Sequence, residues 1–353
     1  MSVFYGHPSP KKTKWAIRYR FLCSFVIITF ANSPLINCAE DNPFLPESLK
    51  QTLQGPLFVF DEKANKKEQP DQDNPHPNAF RSTTQTVSGS FVCKTGLDKL
   101  CISGSSQFTA NQIATIVQDV TVNETIKRSD FFIVDLRKEQ HFFANGRPFA
   151  IFTPYLAGYA GQTAEEILSQ EMEIKKHLEK ADQLLIHKIL EKGANGAITK
   201  SEVHKTPVDR LMTEEMLSTQ MGVRYVRLGV QDHCSPDDVT IDKFLELVGS
   251  LPARNWIHFH CHGGKGRTST FFLMYDILRN HSALSLRSLI DRQMALGGKD
   301  LENTAKSTQI EKEEAEKRLH FIHRFYAYAT AHDGYGHHTW REWVTKYEDP
   351  NQR

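Results

Sequence analysis

Between Trp256 and Leu278 the chain passes from one apolar run to another through Cys261-His262-Gly263-Gly264-Lys265-Gly266-Arg267-Thr268. The first run, Trp256 to Phe259, has the length of a buried strand, and the second, Phe271 to Leu278, that of a buried helix. Three glycines between them (Gly263, Gly264, Gly266) let the backbone curl in ways that a Cβ would forbid. A curled loop at a helix N-terminus turns several N–H groups toward one point, which makes a cradle for a phosphate dianion. The same positive field favours a thiolate, so Cys261 is the expected nucleophile. Arg267 can clamp two phosphate oxygens with its planar fork. A structural cysteine in an ordinary turn would explain Cys261 alone. It does not explain His260 before it, the glycines, or Thr268 after the arginine.

That pattern, His-Cys-x5-Arg-Thr, resembles the cysteine-dependent phosphatases of the protein tyrosine phosphatase superfamily. The rest of the chain sets limits on this reading. A length of 353 residues accommodates one large domain with an accessory piece, and a net charge of +1 gives no electrostatic case for nucleic acid as a partner. Recognition of a highly anionic ligand must come from local clusters of basic groups.

Lys11, Lys12, Lys14, Arg18 and Arg20 precede an apolar run of 11 residues, Phe21 to Ala31, too short to span a bilayer. Residues 1–39 therefore read as a signal peptide, with export to the periplasm or outside, and no stable membrane span. Lipid anchoring at Cys38 is disfavoured because Asn37 precedes it. Residues 40–79, rich in Pro, Asp, Lys and Asn, read as a flexible lead-in. The phosphatase domain is expected over 80–347. Cys93 could pair with Cys101, and Cys234 with Cys261, and the sequence decides neither.

Within the domain, Phe131 to Arg137 and Tyr225 to Val230 read as strands. Thr163 and Glu166 form a capping box for a helix to about Ala181, with a stripe at Ile167, Glu171, Ile174 and Leu178. Leu184 to Leu190 and Ala197 to Val203 suit a small accessory β element near 184–210. After Val230 comes Gln231-Asp232-His233-Cys234-Ser235-Pro236, where Ser235 is expected to cap a helix with Pro236 at its first position. Asp232 then lies on a strand-to-helix loop, free to act as an acid. Alternating strands and helices give an α/β fold, a central sheet flanked by helices with the loop at the strands' carboxyl end.

Asp135-Leu136-Arg137, Gln231-Asp232-His233 with Pro236, Trp256 to Cys261, Arg292-Gln293 with Gly297-Gly298, and Asp333-Gly334-Tyr335 with Trp340 and Trp343 resemble one branch. It is the protein tyrosine phosphatase-like phytases. The resemblance implies an exported bacterial enzyme with an accessory β-barrel, acting on myo-inositol polyphosphates through a phosphocysteine. A phosphatase for phosphotyrosine or phosphoinositides is the alternative. Cys261 attacks phosphorus, Arg267 and the loop hold the charge, and Asp232 protonates the leaving oxygen and later deprotonates water. His262, Gly263, Gly264, Lys265, Gly266 and Thr268 line the cradle, and Thr268 can bond the sulfur. Arg81, Lys312 and Arg318 are further substrate-binding candidates, and His260, Asp135 and Arg137 supports. No cofactor is called for, and no metal, although His258, His260 and His262 alternate as a metal face might.

The chain also departs from that branch. Where the relatives' helix supplies lysines and a tyrosine, this chain has Glu311 to Arg318 with Ala315 at the tyrosine position, and an acid following the Asp-Leu-Arg strand is missing near Tyr155 to Gly161. Lys265 replaces a neutral residue and resembles the loop of the tumour-suppressor inositol-lipid phosphatase.

Overall fold

The computed structural model describes residues 56–61, 75–85, 92–152, 159, 161–193, 198–306, 308–332 and 334–347. The expected signal peptide, Cys38, most of the lead-in and Asp333 lie outside these residues. The elements run β1 (Phe58–Phe60), β2 (Arg81–Ser82), β3 (Ile102–Ser106), α1 (Ala110–Asn123), β4 (Phe131–Arg137), β5 (His141–Ala144) and β6 (Arg147–Ile151). Then follow α2 (Ala164–Leu178), β7 (Gln183–Lys192), β8 (Ile198–Pro207), β9 (Leu211–Met212), α3 (Glu214–Met221) and β10 (Arg224–Val230). The rest is α4 (Asp238–Ser250), β11 (Trp256–Cys261), α5 (Gly266–Asn280), α6 (Leu286–Ala295), α7 (Gln309–Thr330) and α8 (Trp340–Tyr347).

One sheet has the order β10-β4-β11-β3-β2, parallel except for β2. Side chains alternate along its strands and so divide between two cores. Phe132, Val134 and Leu136 of β4, with Ile257, Phe259 and Cys261 of β11, pack under α4 to α8. Phe131, Ile133 and Trp256 pack on the other face against α1 and α3. The period of two therefore puts Cys261 on the side of α5, and Asp135, Arg137 and His260 on the opposite side.

The second sheet has the order β8-β7-β1-β6-β5-β9 and is antiparallel except where β1 meets β7. α2 covers it through Ile174 and Leu178. The expected accessory element at 184–210 is its β7–β8 hairpin, and β1, β5, β6 and β9 extend it into a six-stranded sheet.

Two expectations change. Residues 56–61 are not a flexible lead-in: Leu57 to Phe60 are buried, and β1 hydrogen-bonds between β6 and β7. Its four consecutive apolar residues find a place only by long-range pairing. The cap of α4 is Asp237, whose side chain accepts from Thr240 N, rather than Ser235. The helix starts later than expected, and Pro236 precedes the cap. At α2 the Thr163–Glu166 capping box forms as the sequence predicts.

Candidate active site

Cys261 ends β11 and is 3% exposed. The next four residues form the loop, and α5 starts at Gly266, so the sulfur lies below a helix N-terminus. The loop is fastened from outside. Gln107 N donates to His262 O at 3.2 Å and Arg81 Nη1 to Gly264 O at 2.8 Å. With those carbonyls engaged, the loop's N–H groups remain for an anion. Gly264 has φ +66°, and a Cβ there would strike the backbone of Ser105 and Ser106, so only glycine fits. Thr268 Oγ1 donates to Cys261 Sγ at 3.1 Å, as the sequence predicts.

Arg267 is 2% exposed. Its Nη1 and Nη2 meet the two oxygens of Glu139 at 2.9 and 3.2 Å, and Nη1 also donates to Val230 O at 3.0 Å. Nη2 lies 3.0 Å from Asp232 Oδ1, which brings the predicted acid, arginine and cysteine together. The Asp232 side chain is 57% exposed. The pocket walls limit its solvation and push its pKa up, but the charge of Arg267 outweighs them and the carboxyl titrates below its ordinary range. A phosphate dianion on Arg267 would oppose this: it would weaken the pair and add a negative charge beside Asp232, and both act toward the protonated acid.

Glu139 was not singled out from the sequence, although it follows Arg137 by two residues. Arg267 and Arg137 hold it well below the usual carboxylate range against the opposing effect of burial. The acid sought near Tyr155 to Gly161 falls mainly on residues outside the described ones. Among the described residues Glu139 is the acid that meets both Nη atoms of Arg267, beside the single contact from Asp232.

Asp61, immediately after β1, was also missed. Its Oδ2 accepts from Arg137 Nη1 at 2.8 Å and lies 3.1 Å from His262 Nδ1. Burial pushes this carboxyl up, but His262 and then Arg137 prevail and bring it down to about 2. The second sheet thus touches the first residue of the loop.

Beneath the loop, between the sheets, the supporting residues form one buried network. Asp135 accepts from Arg137 N and Tyr225 Oη, both at 2.8 Å. Arg227 meets Glu171 at 2.7 Å. Glu214 accepts from Gln107 Nε2 at 3.0 Å and lies 3.0 Å from His141 Nε2 and 2.6 Å from His260 Nε2. Burial and Arg137 push His141 down, but Asp135 and Glu214 prevail and its pKa is raised. Atoms of Asp135, Glu214 and His260 all lie within 4.8 Å, yet the same carboxylates are bonded to Tyr225, Gln107 and His141. The three alternating histidines do not converge. His258 meets Ser103 and Ser105, His260 meets Glu214, and His262 meets Asp61.

Of the three further substrate-binding candidates, Arg81 and Arg318 are engaged by backbone carbonyls and Lys312 is not. Arg81 is 1% exposed and gives its guanidinium to Gly264 O, Ala79 O and Ser269 Oγ; burial lowers it to about 10, against the charge of Cys261. It props the loop from below. Arg318, 5% exposed, donates to the carbonyls of His233 and Cys234. Lys312 is half exposed and lies 3.9 Å from Glu316. A basic group not expected is Lys299, after the Gly297-Gly298 pair. Burial lowers its pKa, and the charges of Arg318, Lys306 and Lys265 lower it further. The four described cysteines are free, and burial with Glu314 pushes the Cys234 thiol up to about 12.

A Cys-x5-Arg loop between a parallel strand and a helix, with a carboxylate facing it, is the arrangement expected of a cysteine-dependent phosphatase site. The family model for protein tyrosine phosphatase-like phytases, described as inositol hexakisphosphate, matches residues 134–279. The myo-inositol phosphatase from Mitsuokella multacida, solved with myo-inositol-(1,3,4,5)-tetrakisphosphate, is 29% identical, with a TM-score of 0.71 over 82% of this chain and 47% of that one. A phytase from Bdellovibrio bacteriovorus is 27% identical, with a TM-score of 0.63 over 82% of this chain and 95% of that one. The effector protein hopD2 of Pseudomonas syringae pv. tomato is 25% identical over 71% of this chain and 53% of its own length. The chain spans about half the length of the effector and of the Mitsuokella protein. Its fold is similar to that of the protein tyrosine phosphatase-like phytases.

Proposed function

We propose that the chain hydrolyses phosphomonoesters of myo-inositol polyphosphates through a phosphocysteine. The observation that carries this reading is the meeting of Cys261, Thr268, Arg267 and Asp232 around one loop. The Cys261 sulfur attacks phosphorus in line, forming S–P as the P–O bond to the sugar alcohol breaks. Loop N–H groups and Arg267 hold the charge on the transferring phosphoryl group. Asp232 gives its proton to the leaving oxygen, then takes one from the water that attacks phosphocysteine. The Thr268 hydroxyl donates to the sulfur and stabilises it as it departs.

A polyphosphorylated substrate is supported by Lys299 with Lys265 and Lys306, whose charges reach it and lower its pKa against the opposing charge of Glu311. A phosphotyrosine site would have little use for so many. The Mitsuokella relative's bound inositol tetrakisphosphate points the same way. The test is phosphate release from myo-inositol hexakisphosphate by the full chain beside Cys261→Ser, under reducing conditions. Release that the mutant abolishes is expected. Release from phosphotyrosyl peptide or phosphoinositide alone would overturn the substrate.

We also propose export, supported by the basic run from Lys11 to Arg20 and the apolar run after it. Recovery of the chain only from the cytoplasm after fractionation of the native cells would contradict it. Among the described residues no helix is long and apolar enough to cross a membrane.

A further inference from the structure

Arg318 sits on the face of α7 that meets the site, in phase with Glu311 and Ala315 at helical spacing. Its Nη2 carries two hydrogens, and two carbonyls accept from it, those of His233 and Cys234, the latter at 3.2 Å. Both belong to the loop that carries Asp232. On its other side the guanidinium leans on Gly266, the first residue of α5, where an added Cβ would lie 3.3 Å from Nη1. The buried planar group thus bridges the acid loop and the residue that follows the phosphate loop.

The acid loop requires such a brace. His233 stands at φ +64°, in the left-handed region that side chains other than glycine seldom adopt. Cys234 N closes a turn on Gln231 O at 3.1 Å, and His233 N donates to Asp232 Oδ1 at 3.0 Å. These contacts shape the loop but do not attach it to the site. It is attached first by Arg267 through the Asp232 side chain and second from α7, by Arg318 through the two backbone carbonyls, with Glu311 lying 3.8 Å from His233 Nδ1 and Glu314 hydrogen-bonded to the Cys234 thiol. A phosphate dianion competes for Arg267 and weakens the first contact when the acid is needed. The second does not depend on phosphate.

We infer that Arg318 is a positioning residue that holds the acid loop against the phosphate loop, so that Asp232 keeps its place while Arg267 turns to the phosphate. This rests on Asp232 being the general acid. The Nη2 edge is committed to carbonyls and does not chelate substrate. A lysine, a single charged point without the fork, cannot reproduce the bridge to both carbonyls and Gly266.

The experiment compares a leaving group that needs a proton with one that does not. Steady-state rates of the full chain are measured on glycerol 2-phosphate and 4-nitrophenyl phosphate for wild type, Arg318→Lys, Arg318→Gln and Asp232→Asn. The Arg318 variants are also made in the Asp232→Asn background. Expected for Arg318→Lys is a fall of about 30-fold in the ratio of alkyl to aryl kcat, part of the range a positioned acid supplies. In the Asp232→Asn background the same change should add less than about threefold, because both act through one group. Equal loss on both substrates, additive loss in the double variant, or a rise in KM for inositol hexakisphosphate with kcat kept would each overturn the inference. If Arg318→Gln does not fold, Arg318→Lys decides. The underlying reading fails separately: Asp232→Asn alone would then leave the alkyl-to-aryl ratio unaltered.

Discussion

Two regions of this molecule carry most of its site charges and use them differently. Between the sheets, Asp61, Asp135, Arg137, Glu171, Glu214 and Arg227 are buried and each is met by an opposite charge or a donor. Along α7 and the segment before it, Lys299, Lys306, Lys312 and Glu316 are partly or fully exposed. A buried pair is costly to break from one side, whereas an exposed pair contributes little. The network between the sheets therefore fixes the shape of the loop, and the rim can vary to suit the substrate. Arg267 joins the first region through Glu139, which Arg137 also meets, and carries it to Asp232.

The sharpest test of this division is Arg267→Lys. A lysine keeps the charge but loses the fork to Glu139 and phosphate, and kcat should fall by about 10³-fold, with some loss of melting temperature as the bonds to Glu139 and Val230 O are given up. A loss below about tenfold would mean that the guanidinium's geometry is not used. Asp232→Asn should lower kcat on alkyl phosphates by about 10²-fold and on 4-nitrophenyl phosphate far less. The asparagine should also flatten whichever limb of the pH–rate profile the acid controls.

Asp61→Asn probes the buried region without touching the nucleophile. It should cost about 3 kcal/mol in urea unfolding at neutral pH, because Arg137 and His262 lose a charged partner. The pH dependence has a definite sign. The folded carboxyl titrates at about 2 against about 4 in an unfolded chain, so its contribution is present above pH 4 and is lost as the pH falls toward 2. The asparagine variant should lack that part of the acid limb, and an identical acid limb in both proteins would place the stabilisation elsewhere. Lys312→Ala, on the rim, should change KM for inositol hexakisphosphate by no more than about threefold, as suits an exposed pair.

The same contrast decides what the sequence shows. β4, β10, β11 and α5 are legible because periodic apolar runs frame them, and the loop is legible because glycines, cysteine and arginine stand together. β1 has three residues in a polar stretch and exists only through pairing with β6 and β7. Asp61 was therefore invisible, and with it the contact between the second sheet and His262. For α4, Ser235 and Asp237 are both good caps two residues apart, and the backbone chose the second. The phase of α7 places Arg318 toward the site but does not say whether it meets a phosphate or a carbonyl. Arg81 poses the same difficulty: a single buried guanidinium beside a phosphate loop can serve ligand or backbone, and only its partners distinguish the two.

The central claim is that phosphate passes through the Cys261 sulfur. The direct measurement is acid quenching of the full chain during turnover of ³²P-labelled inositol hexakisphosphate, followed by peptide mapping. Label on the peptide containing Cys261, absent in Cys261→Ser and accumulating in Asp232→Asn supplied with a ³²P-labelled aryl phosphate, is the predicted result. Continued release of phosphate with no label on Cys261, or with label on another residue, would contradict the account.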